Sequence, residues 1–276
     1  MLAHTLAEEE LPNTLEAWVE SHFPGAQFIA QGGQRSVYRV LTPEDSALKI
    51  WAVTDSVQHE RHVREVSGLG RMSHEGLPRV VAHLSQIEIQ GQLYAMYQEQ
   101  WLDAPSVAKQ RHNFPLPEAD LGAFMDSGLE TLVHLHAEKI VHRDISFGNV
   151  LWDGTRVYLV DLGLAKHLDL DSITSTGEAV GMTLASASPE QLQGVGTDLR
   201  PSTDVYSFGV IAFVVATGRH PFIDDGESLT VQQLLTRQTS KDFRVSLPAS
   251  AGVIGDFLAP VAMFRPSADD LLQQVR

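Results

Sequence analysis

Between Phe208 and Thr217 the chain reads Phe-Gly-Val-Ile-Ala-Phe-Val-Val-Ala-Thr, apolar on every side of a helical wheel. A helix without a polar face cannot lie on a surface and needs cover all round. Its longest unbroken apolar run, Val210 to Ala216, is far short of the ~20 residues that cross a bilayer, so the cover must be protein. A chain of 276 residues, 43% of them apolar, has the material for such a core. The net charge of −15 repels phosphate backbones and anionic lipid, so neither nucleic acid nor membrane is expected as a partner. No cysteine is present, which excludes a disulfide framework, a zinc ribbon and a thiol nucleophile. The start, Met1-Leu2-Ala3-His4 leading to Glu8-Glu9-Glu10, lacks the basic and apolar regions of a secretory leader. A cytoplasmic, globular chain is expected.

The hydrophobic period changes along the chain. Leu11, Leu15, Trp18 and Val19 recur at helical spacing, with Asn13 or Thr14 as caps, and Pro24-Gly25 closes the segment. From Phe28 to about Gln100 short strands are expected at Val37–Val40, Ala47–Ile50, Ile87–Ile89 and Leu93–Met96. One helix, Ser56 to Met72, interrupts them. Past Ala104-Pro105 the pattern is mostly helical, with Leu121 to Ala137 the clearest case. Val150–Trp152 and Val157–Val160 flank Asp153-Gly154-Thr155-Arg156, which reads as a hairpin. The class is α+β, a small mainly β lobe followed by a larger helical one.

The strongest chemical signal is His142-Arg143-Asp144-Ile145-Ser146-Phe147-Gly148-Asn149, then Asp161-Leu162-Gly163 beyond the hairpin. A carboxylate, an amide five positions on and a second carboxylate suit metal-assisted phosphoryl transfer. One carboxylate orients the attacking hydroxyl, and the amide and other carboxylate hold Mg²⁺ against the phosphates. Alone, an Asp is more often a cap and an Asp-x-Gly a turn. Here the chain resembles the protein-kinase family, whose catalytic loop reads H-R-D-x-x-x-x-N and whose metal loop reads D-F-G. Every fixed position of the first motif matches, and Leu162 replaces Phe in the second.

Other parts of the family's pattern follow in order. Ala47-Leu48-Lys49-Ile50 resembles the V-A-I-K strand, which implies that Lys49 contacts the α- and β-phosphates. Glu65, followed by Leu69, Met72 and His74, resembles the end of the αC helix and is expected to pair with Lys49; Glu60 is the competing choice. Gln31-Gly32-Gly33-Gln34-Arg35-Ser36-Val37 occupies the place of the Gly-rich loop. Only Gly32 matches in register; Gly33 adds freedom beside it and Val37 follows. Ser188-Pro189-Glu190 resembles A-P-E, and Arg265 lies in a segment whose arginine pairs with that glutamate. The resemblance thus implies a structural Glu190–Arg265 ion pair.

The resemblance runs from about residue 26 to 276 and implies the two-lobed protein-kinase fold, with lobes of about 26–100 and 104–276 after an extension at 1–25. It implies an enzyme using ATP and Mg²⁺, with Asp144 as the residue that accepts or orients the substrate proton. The substrate is a protein that the sequence does not name, and Ser/Thr specificity is favoured over Tyr. Oligomeric state is not encoded in any motif. The family's Ser/Thr branch carries Lys two residues after the catalytic Asp, and its Tyr branch Arg four after; here Ser146 and Gly148 stand there. The alternatives are a pseudokinase that binds nucleotide without transfer, and a small-molecule phosphotransferase, which generally lacks the A-P-E element and late arginine. Ser172, Thr174, Ser175 and Thr176 are candidate phosphorylation sites opposite Arg143, whereas Thr183 is expected to be structural.

Overall fold

The computed structural model describes residues 14–32, 35–54, 56–162, 182–194, 200–243, 246–247 and 251–276, with the side chains at 57, 58, 61, 62, 64, 65, 182 and 183 outside the description. Two compact units form, Met1–Met72 with Arg79–Leu102, and Ser73–Pro78 with Asp103–Arg276. No described helix is long and apolar enough to cross a membrane.

The first unit is a five-stranded antiparallel sheet of order β1-β2-β3-β5-β4, made of β1 (Gln27–Gly32), β2 (Arg35–Val40), β3 (Ser46–Ala52), β4 (Val80–Ile89) and β5 (Gln92–Gln100). Helix α1 (Leu15–His22) starts at Thr14, whose Oγ1 accepts the Ala17 N–H at 3.1 Å. It buries Trp18 and Val19 against Tyr38, Val40, Leu48, Ile50 and Ile89. Each apolar side chain so buried contributes about 1.5–3 kcal/mol. Strand β3 is central and buried from Ser46 to Trp51. Leu48 and Ile50 face the α1 cluster, so by strand alternation Lys49 and Trp51 turn to the opposite face.

Strand β4 extends well before the expected Ile87, because pairing with β5 supplies what its irregular pattern does not. Gln90 and Gly91, at φ 49° and 79°, make the two-residue turn that joins them. Helix α2 (Ser56–Leu69) ends short of the expected Met72. Gly68 and Gly70 weaken that end, and Arg71 and Met72 close back as turns onto Gly68 and Leu69.

The second unit is built around α6 (Pro201–Thr217), numbered after α3 (Glu118–Ala137), α4 (Met182–Ala185) and α5 (Pro189–Leu192). Every residue of α6 from Thr203 to Ala216 is buried, as its apolar sequence requires. Pro201 opens the helix and Gly218, at φ 73°, closes it in the left-handed conformation. Helix α3 supplies cover through Phe124, stacked on Phe208 at 5.6 Å between centroids. After α7 (Val231–Ser240), α8 (Ile254–Phe257) covers another side. Helix α9 (Ala268–Val275) packs on α3, and Arg276 bonds Asp126 and Glu130 there.

The α3–α6 approach depends on glycine. A Cβ at Gly128 would overlap the Phe208 ring. Gly128→Ala should therefore destabilise the chain by about 1–3 kcal/mol through overpacking, read as a lower urea midpoint. A wild-type midpoint would contradict this packing.

Candidate active site

Strands β6 (Val150–Trp152) and β7 (Val157–Leu159) form the expected hairpin. Its turn is organised by Asp153, which accepts the Thr155 and Arg156 N–H groups at 2.7 and 2.8 Å and the Tyr158 hydroxyl at 2.8 Å. Burial opposes ionisation of Asp153, but these donors prevail and hold its pKa at about 2. The Val157 N–H donates to Ser127 Oγ on α3, and the Leu159 N–H to the Gly76 carbonyl. The hairpin is thus fixed to the helical core.

The preceding loop hangs on Asp204, 1% exposed near the start of α6. Its carboxylate accepts the His142 N–H at 2.7 Å and the Arg143 N–H at 2.8 Å, and lies 3.1 Å from His136 Nε2. Arg143 takes a left-handed conformation, φ 67°, which costs about 1–3 kcal/mol unless its surroundings enforce it. Asp204 supplies that enforcement. Gln191 Nε2 donates to the Arg143 carbonyl at 2.9 Å and Ser186 Oγ to the Ile145 carbonyl at 2.9 Å. The His142 ring accepts the Asp144 N–H at Nδ1, so its proton is on Nε2, 3.1 Å from the Val160 carbonyl it donates to. One imidazole thereby ties the loop to the residue before Asp161.

Asp144 and Asn149 meet directly. Asn149 Nδ2 donates to the Asp144 carbonyl and to Asp144 Oδ2, both at 2.9 Å. Both partners are acceptors, so the amide nitrogen must face them and Oδ1 points the other way. The Val160 N–H donates to the Asn149 carbonyl at 3.0 Å, which brings Asp161 beside Asn149. Asp161 is also left-handed, φ 57°, and Leu162 after it is buried. An amide oxygen and a carboxylate are hard donors that fit a divalent cation whose other ligands are water or phosphate. Among the described residues there is no group of three or more His, Cys, Asp or Glu that would make an all-protein cage.

In the sheet, Lys49 stands opposite Val37 on one side and Tyr97 on the other. Its Nζ lies 2.7 Å from Glu99 Oε1, each side chain 4% exposed. The Tyr97 hydroxyl donates to the other oxygen, Glu99 Oε2, at 3.0 Å. Sequence reasoning missed Glu99. The available signal was alternation, since Glu99 follows Tyr97 by two and shares the face of Lys49 once the β3–β5 register is known. The Glu65 side chain, Gly33, Gly163, the Thr183 side chain and Ser172, Thr174, Ser175 and Thr176 lie outside the described residues.

The Glu190–Arg265 pair forms as a two-pronged contact of 2.7 and 2.9 Å. Arg265 spends its remaining donors on the Ala259, Ser202 and Pro260 carbonyls, and its guanidinium sits over the Tyr206 ring. Burial alone would raise the Glu190 carboxyl, but Arg265 overcomes this and holds it below its ordinary range. His220 fastens the neighbouring segment, its Nε2 bonding the Ala185 carbonyl at 3.0 Å while Nδ1 accepts the Phe222 N–H. Burial pushes the His220 pKa down to about 4, against the pull of the Ala185 bond.

Arg265→Met should cost up to about 3–5 kcal/mol, because it leaves the half-buried Glu190 without its cation; an unchanged urea midpoint would contradict the pair's role. For His220 the folded pKa is below the unfolded one of about 6.5, so the unfolded chain takes the proton first. Stability present above pH 6.5 is thus lost as pH falls toward 4, by at most about 3 kcal/mol from this group. His220→Asn should flatten that part of the stability–pH curve. A slope equal to the wild type's would contradict it.

The geometry can be set beside known proteins. The model of the protein kinase domain matches residues 25–275. The serine/threonine-protein kinase PkaA of Streptomyces coelicolor is 31% identical over 259 residues, covering 91% of this chain and 44% of that protein. PknA of Mycobacterium tuberculosis, also a serine/threonine-protein kinase, is 33% identical over 203 residues, 72% of this chain and 44% of that one. The DNA damage-responsive serine/threonine-protein kinase RqkA of Deinococcus radiodurans is 30% identical over 254 residues, 87% and 37% of the two chains. This chain therefore spans less than half the length of these relatives. With a β unit carrying a buried lysine, a helical unit carrying the His142–Asn149 loop, and a domain match over nearly its whole length, the chain belongs to the protein kinase family.

Proposed function

We propose that the chain is an ATP-dependent protein kinase that transfers the γ-phosphate to Ser or Thr hydroxyls of proteins, using Mg²⁺. The observation that carries the reading is the Asn149 amide, whose nitrogen is committed to Asp144 and whose backbone carbonyl is bonded by the Val160 N–H, one residue before Asp161. That division of labour separates one carboxylate for the substrate hydroxyl from an amide–carboxylate pair for the cation. Mg²⁺, when bound, supplies charge neutralisation for the phosphate oxygens. Asp144 takes the hydroxyl proton as the new O–P bond forms and the bond to the departing ADP oxygen breaks. Lys49 aligns the phosphates, with Glu65 as a partner from α2, while Gly32, Gly33 and Val37 cover the nucleotide. A cytoplasmic setting is part of the proposal, and the net charge of −15 disfavours nucleic acid as a partner.

Regulation by autophosphorylation at Ser172, Thr174, Ser175 or Thr176 is part of the same reading. Its support is Arg143, whose buried Nε has no hydrogen-bond partner among the described residues. A phosphate opposite that guanidinium would form charge-assisted bonds.

Incubation with labelled ATP and Mg²⁺ tests the reading. Asp161→Ala should lower phosphate incorporation at least 100-fold while keeping the thermal midpoint within a few degrees, and Lys49→Ala should lower it as far, with a lower midpoint because Glu99 is left buried without its cation. Wild-type incorporation by both variants would overturn it. Phosphopeptide mapping should find label in the 172–176 cluster of the wild type and none in Asp144→Asn; an unlabelled wild-type cluster would remove the regulatory part.

A further inference from the structure

We infer that Glu99 is a positioning residue for Lys49, a strand-borne anchor that holds the ammonium in its phosphate-binding orientation. The inference rests on the kinase reading and extends it to a residue outside the family's motifs. The Lys49 Nζ–Glu99 Oε1 contact of 2.7 Å is buried, with both side chains 4% exposed. The carboxylate is itself fixed, because Glu99 Oε2 accepts the Tyr97 hydroxyl at 3.0 Å. Tyr97 is 1% exposed and wedged edge-on against Trp51, its ring 5.8 Å from Lys49 Nζ. All three groups rise from one face of β3 and β5, where Lys49 pairs in register with Tyr97, and Ala47 with Glu99.

An apolar pair of similar volume would join these strands as well as a buried ion pair does. What the pair adds is direction. An ammonium has three donors; Glu99 occupies one, which fixes the cone swept by the other two. The anchor sits on neighbouring strands of one sheet, so it does not depend on the position of α2. A lysine held this way meets phosphate oxygens with little rotamer entropy left to lose.

The test compares wild type, Glu99→Gln and Tyr97→Phe. The first readout is calorimetric binding of a non-hydrolysable ATP analogue with Mg²⁺. The second is the rate at which an amine-selective reagent labels Lys49 in the nucleotide-free chain, read by peptide mapping. Glu99→Gln, which keeps the side-chain volume, should weaken analogue binding about tenfold, the loss of one charge-assisted bond. It should also raise Lys49 labelling severalfold. In turnover the change should fall mainly on KM for ATP, with kcat altered by less than about threefold. Tyr97→Phe should shift both readouts the same way by a smaller factor, and it decides the matter if Glu99→Gln does not fold.

Unchanged binding and labelling would overturn the anchor. Tighter binding in Glu99→Gln would also overturn it, by showing that Glu99 competes with phosphate for Nζ. A wild type that binds no analogue would overturn the kinase reading and this inference with it. A wild type that binds, beside a variant identical to it, would overturn the inference alone.

Discussion

The buried carboxylate of Asp204 is the interaction on which the second unit's chemistry depends. It accepts the backbone N–H groups of two consecutive residues, His142 and Arg143, and so bends the loop through a left-handed residue. Without an acceptor there, two backbone donors would be buried unpaired at about 1–3 kcal/mol each. Asp204 can be held so firmly because it belongs to α6, the helix with no solvent-facing side. The apolar sequence that demands burial thus supplies the rigid post from which the polar loop is hung.

The same logic orders the rest of the loop. His142 bonds at both ring nitrogens, to the Asp144 N–H on one side and to the Val160 carbonyl on the other. Asn149 closes back on Asp144 with its amide nitrogen. Gln191, beside Glu190, reaches the Arg143 carbonyl, so the segment pinned by Arg265 also supports the loop. The His142 ring, the Asp144 N–H and the Asn149 amide nitrogen are thus each bonded within the protein. Preorganisation of that kind avoids reorganisation during reaction.

Much of this was legible in the residues, for physical reasons. The spacing from His142 to Asn149 and the turn at Asp153 are local, so short-range sequence carries them. The apolar girth of Phe208–Thr217 announced a buried helix, and the early strands announced a sheet. Long-range partners were a different matter. Glu99 joins Lys49 across 50 positions, and only the β3–β5 register brings them together. Asp204 could be seen at a helix start, where an acidic residue is ordinary, but its bonds to His142 and Arg143 cross about 60 positions. The early end of α2 and the long β4 turn on competition between pairing and propensity, which a pattern of apolar residues does not resolve.

The most direct measurement is phosphate transfer by the purified chain and by Asp144→Asn, incubated side by side with ATP and Mg²⁺ and read by mass spectrometry of the intact chain and of a basic acceptor peptide. Asn keeps the side chain's size and can still bond Asn149, so folding should be preserved while the proton acceptor is lost. The structure predicts covalent phosphate on the wild-type chain or on the peptide, and none above background with the variant at an unchanged thermal midpoint. Equal phosphate incorporation by the two proteins, or none by the wild type, would contradict it.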